Sequence, residues 1–147
     1  IALRQLHLEQ DTAKTVGDSI DLRRCGAALI EVVSEPFLVT AREAAQVCRR
    51  LHQVACDAGV THGRLEDGQV RFDINLSSAD AEIGRAGRIE VKNVNSFDYI
   101  ERAIEGVDLH GHAGQTLLFD QRTRQVTVMR DKAHHNYRFL PEPDLPV

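Results

Sequence analysis

Residues 69–77, QVRFDINLS, alternate apolar and polar side chains along the whole segment. A period of two predicts a strand with one buried face, formed here by Val70, Phe72, Ile74 and Leu76. Residues 88–93, RIEVKN, repeat the pattern with Ile89 and Val91 on the apolar side. Together the two segments predict part of a sheet that is apolar on one side and polar on the other.

One helix is predicted before these two strands in the sequence, and another is predicted after them. Residues 40–59, TAREAAQVCRRLHQVACDAG, place their apolar side chains on one helical face. Thr40 is the expected N-cap, Glu43 completes a capping box, and Gly59 is the expected C-cap residue. A second helix is predicted over residues 97–109, with Ser96 as its cap.

The remaining strands complete an α+β pattern. Residues 1–9 predict a strand, residues 11–18 a loop, and residues 19–22 and 28–34 two strands joined across Cys25 and Gly26. Residues 115–120 and 125–130 predict a hairpin. Because strands and helices do not alternate strictly, we expect a mainly antiparallel sheet with helices on one face.

Composition restricts the class of protein. The 147 residues are 42% hydrophobic and 27% charged, which is ordinary for a folded globular chain. No apolar run reaches the length of a membrane span. The three cysteines form no CxxC pair, which argues against a disulfide scaffold and for a reducing compartment. We expect Cys25 to be a small buried residue, and Cys48 and Cys56 to pack on the first helix.

The polar side of the predicted sheet carries side chains typical of phosphoryl transfer. It would gather carboxylates, amides and cations: Glu31, Glu90, Asp73, Asn75, Asn93, Arg71 and Lys92. His7 and Glu9 share a strand face two residues apart. Oxygen ligands suit Mg²⁺, and cationic side chains neutralise phosphates. The alternative is a solvated sheet face with mixed charges. The sequence contains no GxxxxGK[ST] loop and no GxGxxG motif.

Five strings occur in an order that resembles the B subunit of the tRNA-dependent amidotransferase. They are LHLEQDTAK, DLRRCGAALIEVVSEP, LEDGQVRFDINLS, IEVKNVNSFDYIERAIE and YRFLPEPDLP. The resemblance covers essentially the whole chain. It implies that residues 1–147 are the central and C-terminal part of the catalytic cradle domain, without its opening strand and without the C-terminal helical and tail domains. On that basis we expect the isolated piece to be prone to aggregation through an open sheet edge.

The resemblance also implies a fold and an activity. The family's cradle is similar to glutamine synthetase and creatine kinase. With ATP and Mg²⁺, the family's protein phosphorylates the side-chain carboxylate of misacylated Glu-tRNA(Gln) or Asp-tRNA(Asn). Ammonia from a partner amidase (glutaminase) A subunit then displaces phosphate, and a small C subunit completes the complex. The implied enzyme is a carbon–nitrogen ligase that acts in the bacterial cytoplasm, the mitochondrial matrix or a plastid, with no membrane partner.

Residue roles carry over by position. The resemblance implies catalytic roles for Glu9, Glu31, Asp73 and Lys92. It implies metal ligation by Glu31, Gln10 and Glu9. It implies contacts with substrate or ATP for His7, Lys14, Arg24, Arg71, Asn75, Asn93, Asn95 and Arg138.

One departure bears on the metal. Gln10 stands where the family has Glu, so it brings no charge and implies weaker Mg²⁺ binding. Other substitutions, such as Thr12, Ala28 and His134, are consistent with a divergent copy. The alternative hypothesis is therefore a non-catalytic relative that acts as a structural or tRNA-binding partner.

Overall fold

The computed structural model describes residues 1–12, 14–37, 39–78 and 87–129, with every side chain in these ranges except that of Lys14. The chain divides into two compact units, Ile1–Leu38 and Val39–Val147. Each unit contributes its own sheet structure to an α+β fold with mostly antiparallel strand pairs. The predicted fold class is therefore confirmed.

The first unit contains four strands in two pairs. Strand β1 (Leu3–Gln10) pairs antiparallel with β4 (Ala28–Ser34), and β2 (Lys14–Val16) pairs antiparallel with β3 (Ser19–Asp21). The predicted strands over residues 19–22 and 28–34 are present as β3 and β4, but the predicted loop over residues 11–18 contains β2. The reason is local: Gly17 has a φ of 59° in a two-residue turn, which closes a tight β2–β3 hairpin.

The β1–β4 sheet has two chemically different faces. His7 lies opposite Glu31 in the ladder, and Glu9 follows His7 on the same side of β1. The other face carries Leu6, Leu8, Ile30 and Val32, all of which are exposed. The alternation of the sequence thus separates a polar face from an aliphatic one.

The second unit is built on a four-stranded sheet with the order β5–β6–β7–β8. The strands are β5 (Phe72–Leu76), β6 (Ile89–Val94), β7 (Thr116–Asp120) and β8 (Gln125–Val128). Strands β6 and β7 are parallel, and the other neighbours are antiparallel. The parallel pair requires a crossover, which helix α2 (Phe97–Glu105) supplies.

The core of this unit lies between the sheet and its helices. Helix α2 packs on the sheet, and helix α1 (Ala41–Asp57) packs against α2. The fully or almost fully buried side chains are Ala45, Ile89, Val91, Val94, Ile100, Ala103, Leu117 and Phe119. The predicted inward positions Ile89 and Val91 are confirmed. Within the described residues, no helix is long and apolar enough to cross a membrane.

Helix boundaries follow from their caps. Thr40 Oγ1 accepts a hydrogen bond from the Glu43 N–H at 3.3 Å, and Glu43 Oε2 accepts one from the Thr40 N–H at 2.8 Å. The predicted capping box is confirmed. Gly59, at a φ of 70°, comes one residue after the C-cap residue Ala58. Ser96 holds the N-cap position of α2 without a side-chain bond, and α2 ends four residues earlier than predicted because Gly106 follows it.

Replacement of the α1 N-cap should measurably destabilise the second unit. In Thr40→Ala the Glu43 N–H loses its acceptor, so we expect the free energy of unfolding to fall by about 1 kcal/mol. The bonds from Thr40 lower the pKa of Glu43, so this carboxylate's contribution is present at neutral pH and lost as the pH falls. Denaturant titration of the full-length chain at pH 7 measures the loss. Thr40→Ser, which keeps the hydroxyl, should retain most of the wild-type stability.

Candidate functional site

The first unit brings together three side chains that could hold a metal ion. One ligand atom from each of His7, Glu9 and Glu31 lies within 4.8 Å of the other two. The ladder places His7 across from Glu31, and strand alternation places Glu9 beside them. His7 Nδ1 lies 3.7 Å from Glu9 Oε1, and the two side chains are 42% and 44% exposed. The cluster is therefore open to an ion and a substrate.

The chemistry of these three donors fits a divalent cation. Mg²⁺ binds oxygen ligands at roughly 2.1 Å and commonly takes only one or two carboxylates from the protein, with water and phosphate completing the shell. Ligands of one octahedral ion lie roughly 3–4 Å apart. Glu9 and Glu31 are both exposed, so rotation of their side chains could bring their oxygens to that spacing. The imidazole of His7 would also suit a transition ion such as Mn²⁺ as a probe.

Gln10 is not brought together with these three residues. Strand alternation turns Gln10 to the opposite face from Glu9, beside its ladder partner Ala28. Its Nε2 instead faces Gly26, where an added β-carbon would lie 3.6 Å away. The absence of a charge at position 10 therefore does not change the charge of the cluster of His7, Glu9 and Glu31.

Arg24 and Lys14, which were predicted to contact substrate or ATP, also belong to the first unit. Arg24 Nε donates to Asp11 Oδ2 at 2.8 Å, so this guanidinium already holds a carboxylate of the chain. Backbone bonds between Asp11 and residues 26 and 27 extend the β1–β4 pairing at the same place. Lys14 begins strand β2.

The second unit carries a separate group of charged and amide side chains. Asp73 and Asn75 lie on β5, opposite the buried face that Phe72, Ile74 and Leu76 turn to the core. Glu90 pairs directly with Asn75 across the β5–β6 ladder. Lys92 Nζ lies 3.5 Å from Glu90 Oε2. Arg71 comes just before β5 and is close enough to act electrostatically on Asp73.

The predicted polar face is thus divided between two sheets. Glu31 belongs to the β1–β4 sheet of the first unit, whereas Asp73, Glu90 and Lys92 belong to the four-stranded sheet of the second. The expectation of one continuous face was wrong, because β4 pairs with β1 rather than with the later strands. Arg138 lies outside the described residues.

Asp73 is the carboxyl group of this second set whose protonation is most perturbed. Partial burial raises the pKa of Asp73, and the Glu90 carboxylate raises it further, while Lys92 and Arg71 lower it. The raised pKa means that the folded chain binds this proton more tightly than the unfolded chain. Its stabilising contribution is therefore present at low pH and is lost as the pH rises through the raised value.

Asp73→Asn should remove that pH dependence. Since the neutral amide carries no charge to desolvate, we expect the variant to be more stable than the wild type at pH 7, by up to about 0.5 kcal/mol. The gain should shrink as the pH falls and disappear at about pH 3, below the ordinary aspartate pKa of 3.8. Denaturant titrations of the full-length chain at the two pH values measure this difference.

Asp108→Asn is the control, because we expect it to change the stability at pH 7 in the opposite direction. Backbone N–H groups of Gly111 and His110 lower the pKa of Asp108, so its contribution is present at neutral pH and lost on acidification. That variant should lose stability at pH 7. Equal behaviour of the two variants at pH 7 would contradict the assignment for Asp73.

Asn93 on β6 and Asn95 just after it make side-chain bonds that alternation did not predict. Asn93 has a φ of 66°, and its Nδ2 donates to the Phe119 carbonyl oxygen at 3.2 Å. Asn95 Nδ2 donates to Asn93 Oδ1 at 3.3 Å. One signal was present in the sequence: strict alternation would have placed Asn93 on the apolar side with Ile89 and Val91.

The cysteines divide into one exposed and two partly buried residues. Cys25 is exposed, so the expectation that it is buried was wrong. Cys48 packs against the core, and burial raises the pKa of its thiol to about 11. Cys56 lies 4.0 Å from His52 Nε2, which in turn contacts the Gly63 carbonyl oxygen at 2.7 Å. Cys48 is a packing residue, as predicted, and its raised pKa keeps the thiol protonated at neutral pH.

These features define an α+β protein with two polar groups. The β1–β4 sheet carries the cluster of His7, Glu9 and Glu31, which could bind a cation, and the four-stranded sheet carries the group of charged and amide side chains. A family model described as the GatB/GatE catalytic domain matches residues 1–147. The chain belongs to this family.

Curated relatives agree with that assignment. The chain is 39% identical to the B subunit of the aspartyl/glutamyl-tRNA(Asn/Gln) amidotransferase of Thermotoga maritima, over 99% of this chain and 35% of that protein. It is 38% identical to proteins of the same name from Gloeobacter violaceus and Laribacter hongkongensis, over 99% of this chain and 30% and 34% of those proteins. The chain spans about a third of the length of the curated relatives it matches.

Proposed function

We propose that this chain forms part of a catalytic segment that activates the side-chain carboxylate of Glu-tRNA(Gln), or of Asp-tRNA(Asn), with ATP and Mg²⁺. The observation that carries the proposal is the cluster of His7, Glu9 and Glu31 on one sheet face. Membership of the family and the names of its relatives support the tRNA substrate. The side-chain carboxylate is a poor electrophile, so it needs a leaving group before an amide can form.

The proposed reaction has two balanced steps. A carboxylate oxygen of the substrate attacks the γ-phosphorus of ATP, the bond to the β-phosphate oxygen breaks, and ADP leaves. The nitrogen of ammonia then attacks the carbonyl carbon of the acyl phosphate. Inorganic phosphate departs, one proton is lost, and the amide remains. Both steps concentrate negative charge on phosphate oxygens, which cationic groups must offset.

The residues of the first unit would hold the divalent cation. Glu9 and Glu31 supply its anionic ligands, and His7 supplies a nitrogen ligand beside them. When bound, the ion neutralises phosphate charge and orients the transferred group. Gln10 lies on the other face of β1, so we do not expect its missing charge to weaken this site.

The second unit carries a charged group of its own, for which we propose phosphate and substrate contacts. Lys92 and Arg71 are the cations of this set and would bind phosphate oxygens. Asp73 and Asn75 would contact the substrate or its water shell. Because the pKa of Asp73 is raised above that of an ordinary aspartate, its carboxylate would also be suited to accept a proton from the attacking ammonia.

The complex supplies the ammonia in this proposal. We propose that an amidase A subunit hydrolyses glutamine and that a small C subunit accompanies it, in line with the naming of the relatives as one component of a larger enzyme. Misacylated tRNA is the remaining partner.

An assay of the full-length protein, assembled with its amidase partner, tests the proposal. Glu-tRNA(Gln) or Asp-tRNA(Asn) is supplied with ATP, Mg²⁺ and ammonium chloride, and both ADP release and amidated tRNA are measured. We expect ADP release that depends on the misacylated tRNA, with one amide formed per ADP. Binding of tRNA without ADP release would instead identify the non-catalytic relative.

A further inference from the structure

The β5–β6 ladder contains a bulge at the residues that face Asp73. Phe72 pairs with Val94 and Ile74 with Val91, so two steps on β5 match three on β6. The additional residue on β6 falls at Lys92 and Asn93, and Asn93 takes the left-handed conformation at a φ of 66°. Bulges of this kind redirect side chains, and here Val94 turns into the core instead of Asn93.

The hydrogen-bond chain from this bulge has a fixed direction. The Phe119 carbonyl oxygen can only accept, so Asn93 must present its NH₂ group to it. The Asn93 oxygen can then only accept, and Asn95 donates to it. That leaves Asn95 Oδ1 at the end of the chain as a buried acceptor with no partner among the described residues. The side-chain amide of Asn93 therefore makes two hydrogen bonds within the protein, one as donor and one as acceptor.

We propose that Asn93 is a positioning residue, which holds Asn95 and the Lys92 backbone in place beside Asp73. This inference rests on the proposed function, but it changes the role of Asn93 from a substrate contact to a support. Asn93 combines two properties that serve this role. It tolerates positive φ better than other side chains with a β-carbon, and its amide bridges β7 to Asn95.

The informative variant is Asn93→Gly in the full-length protein within the assembled complex. Glycine keeps the left-handed backbone and removes only the two amide bonds. We expect kcat for ammonia-dependent amidation to fall at least tenfold, with a thermal midpoint close to that of the wild type. Arg124→Gly is the matched control, because Arg124 is the other described non-glycine residue with positive φ, at 59°, in the β7–β8 turn. Its kcat should not change.

A double-mutant comparison shows whether Asn93 acts through Asn95. If it does, Asn93→Gly combined with Asn95→Ala should be no slower than Asn95→Ala alone. A purely structural role would give additive losses instead. Additive losses, or a wild-type kcat in Asn93→Gly, would overturn the inference while leaving wild-type turnover and the proposed function intact.

The side-chain NH₂ resonance of Asn95 reports the same bond without any turnover. It should move in Asn93→Gly and stay in place in Arg124→Gly. An unmoved resonance in Asn93→Gly would overturn the inference. If the wild-type complex releases no ADP, the proposed function fails, and this resonance still decides whether Asn93 holds Asn95.

Discussion

Glu31→Gln should lower the rate of tRNA-dependent ADP release about 100-fold at a fixed Mg²⁺ concentration. The substitution keeps the shape of the side chain and removes one of the two anionic ligands in the cluster of His7, Glu9 and Glu31. A weaker ion site should recover part of the rate as Mg²⁺ is raised, so a titration with Mg²⁺ is the measurement. Mn²⁺, which accepts imidazole more readily, should recover more than Mg²⁺ does.

Stability separates this effect from misfolding. Without a cation, Glu9 and Glu31 are like charges on one exposed sheet face, and their repulsion opposes folding. Glu31→Gln should therefore be as stable as the wild type, or slightly more stable, in metal-free buffer. Glu66→Gln is the control, since Glu66 is an exposed carboxylate in a turn of the second unit. A wild-type rate and a wild-type Mg²⁺ dependence in Glu31→Gln would contradict the site.

Local patterns predicted where the helices and strands lie in the sequence better than they predicted which strands pair. The capping box at Thr40 and Glu43 and the alternation of β5 depend on residues a few positions apart, and both were found as predicted. The pairing of β4 with β1 depends on residues that are far apart in the chain, with β2 and β3 between them. Alternation contains no information about which distant strand is the neighbour, so the β1–β4 pairing could not be predicted from it.

The same division applies to the candidate site. His7 and Glu9 were placed on one face because a strand alternates, and the structure has them there. The position of Glu31 opposite His7 follows from the ladder register, which the sequence pattern did not contain. The bulge at Asn93 was missed because an irregularity of one residue looks like imperfect alternation. The amide bonds that occupy Asn93 are likewise tertiary contacts to β7.

Leu117→Ala should cause one of the largest losses of stability in the second unit. Leu117 is 0% exposed on β7, with Val91 as its ladder partner on β6, and it belongs to the buried core. Truncation removes buried methyl groups and leaves a cavity that packed neighbours fill only partly. We therefore expect the free energy of unfolding to fall by about 3–5 kcal/mol. Denaturant titration of the full-length chain, or the fall in its thermal midpoint, measures the loss.

The adjacent residue provides the control for this prediction. Leu118 is the same residue type on the same strand, but alternation turns it outward, and it is 37% exposed. Leu118→Ala removes the same atoms with little cavity, so its cost should be below about 1 kcal/mol. The contrast depends only on which face of β7 meets the core. Equal losses in the two variants would mean that β7 is covered on both faces in the full-length chain, and a larger loss at Leu118 would show that the core assignment is reversed.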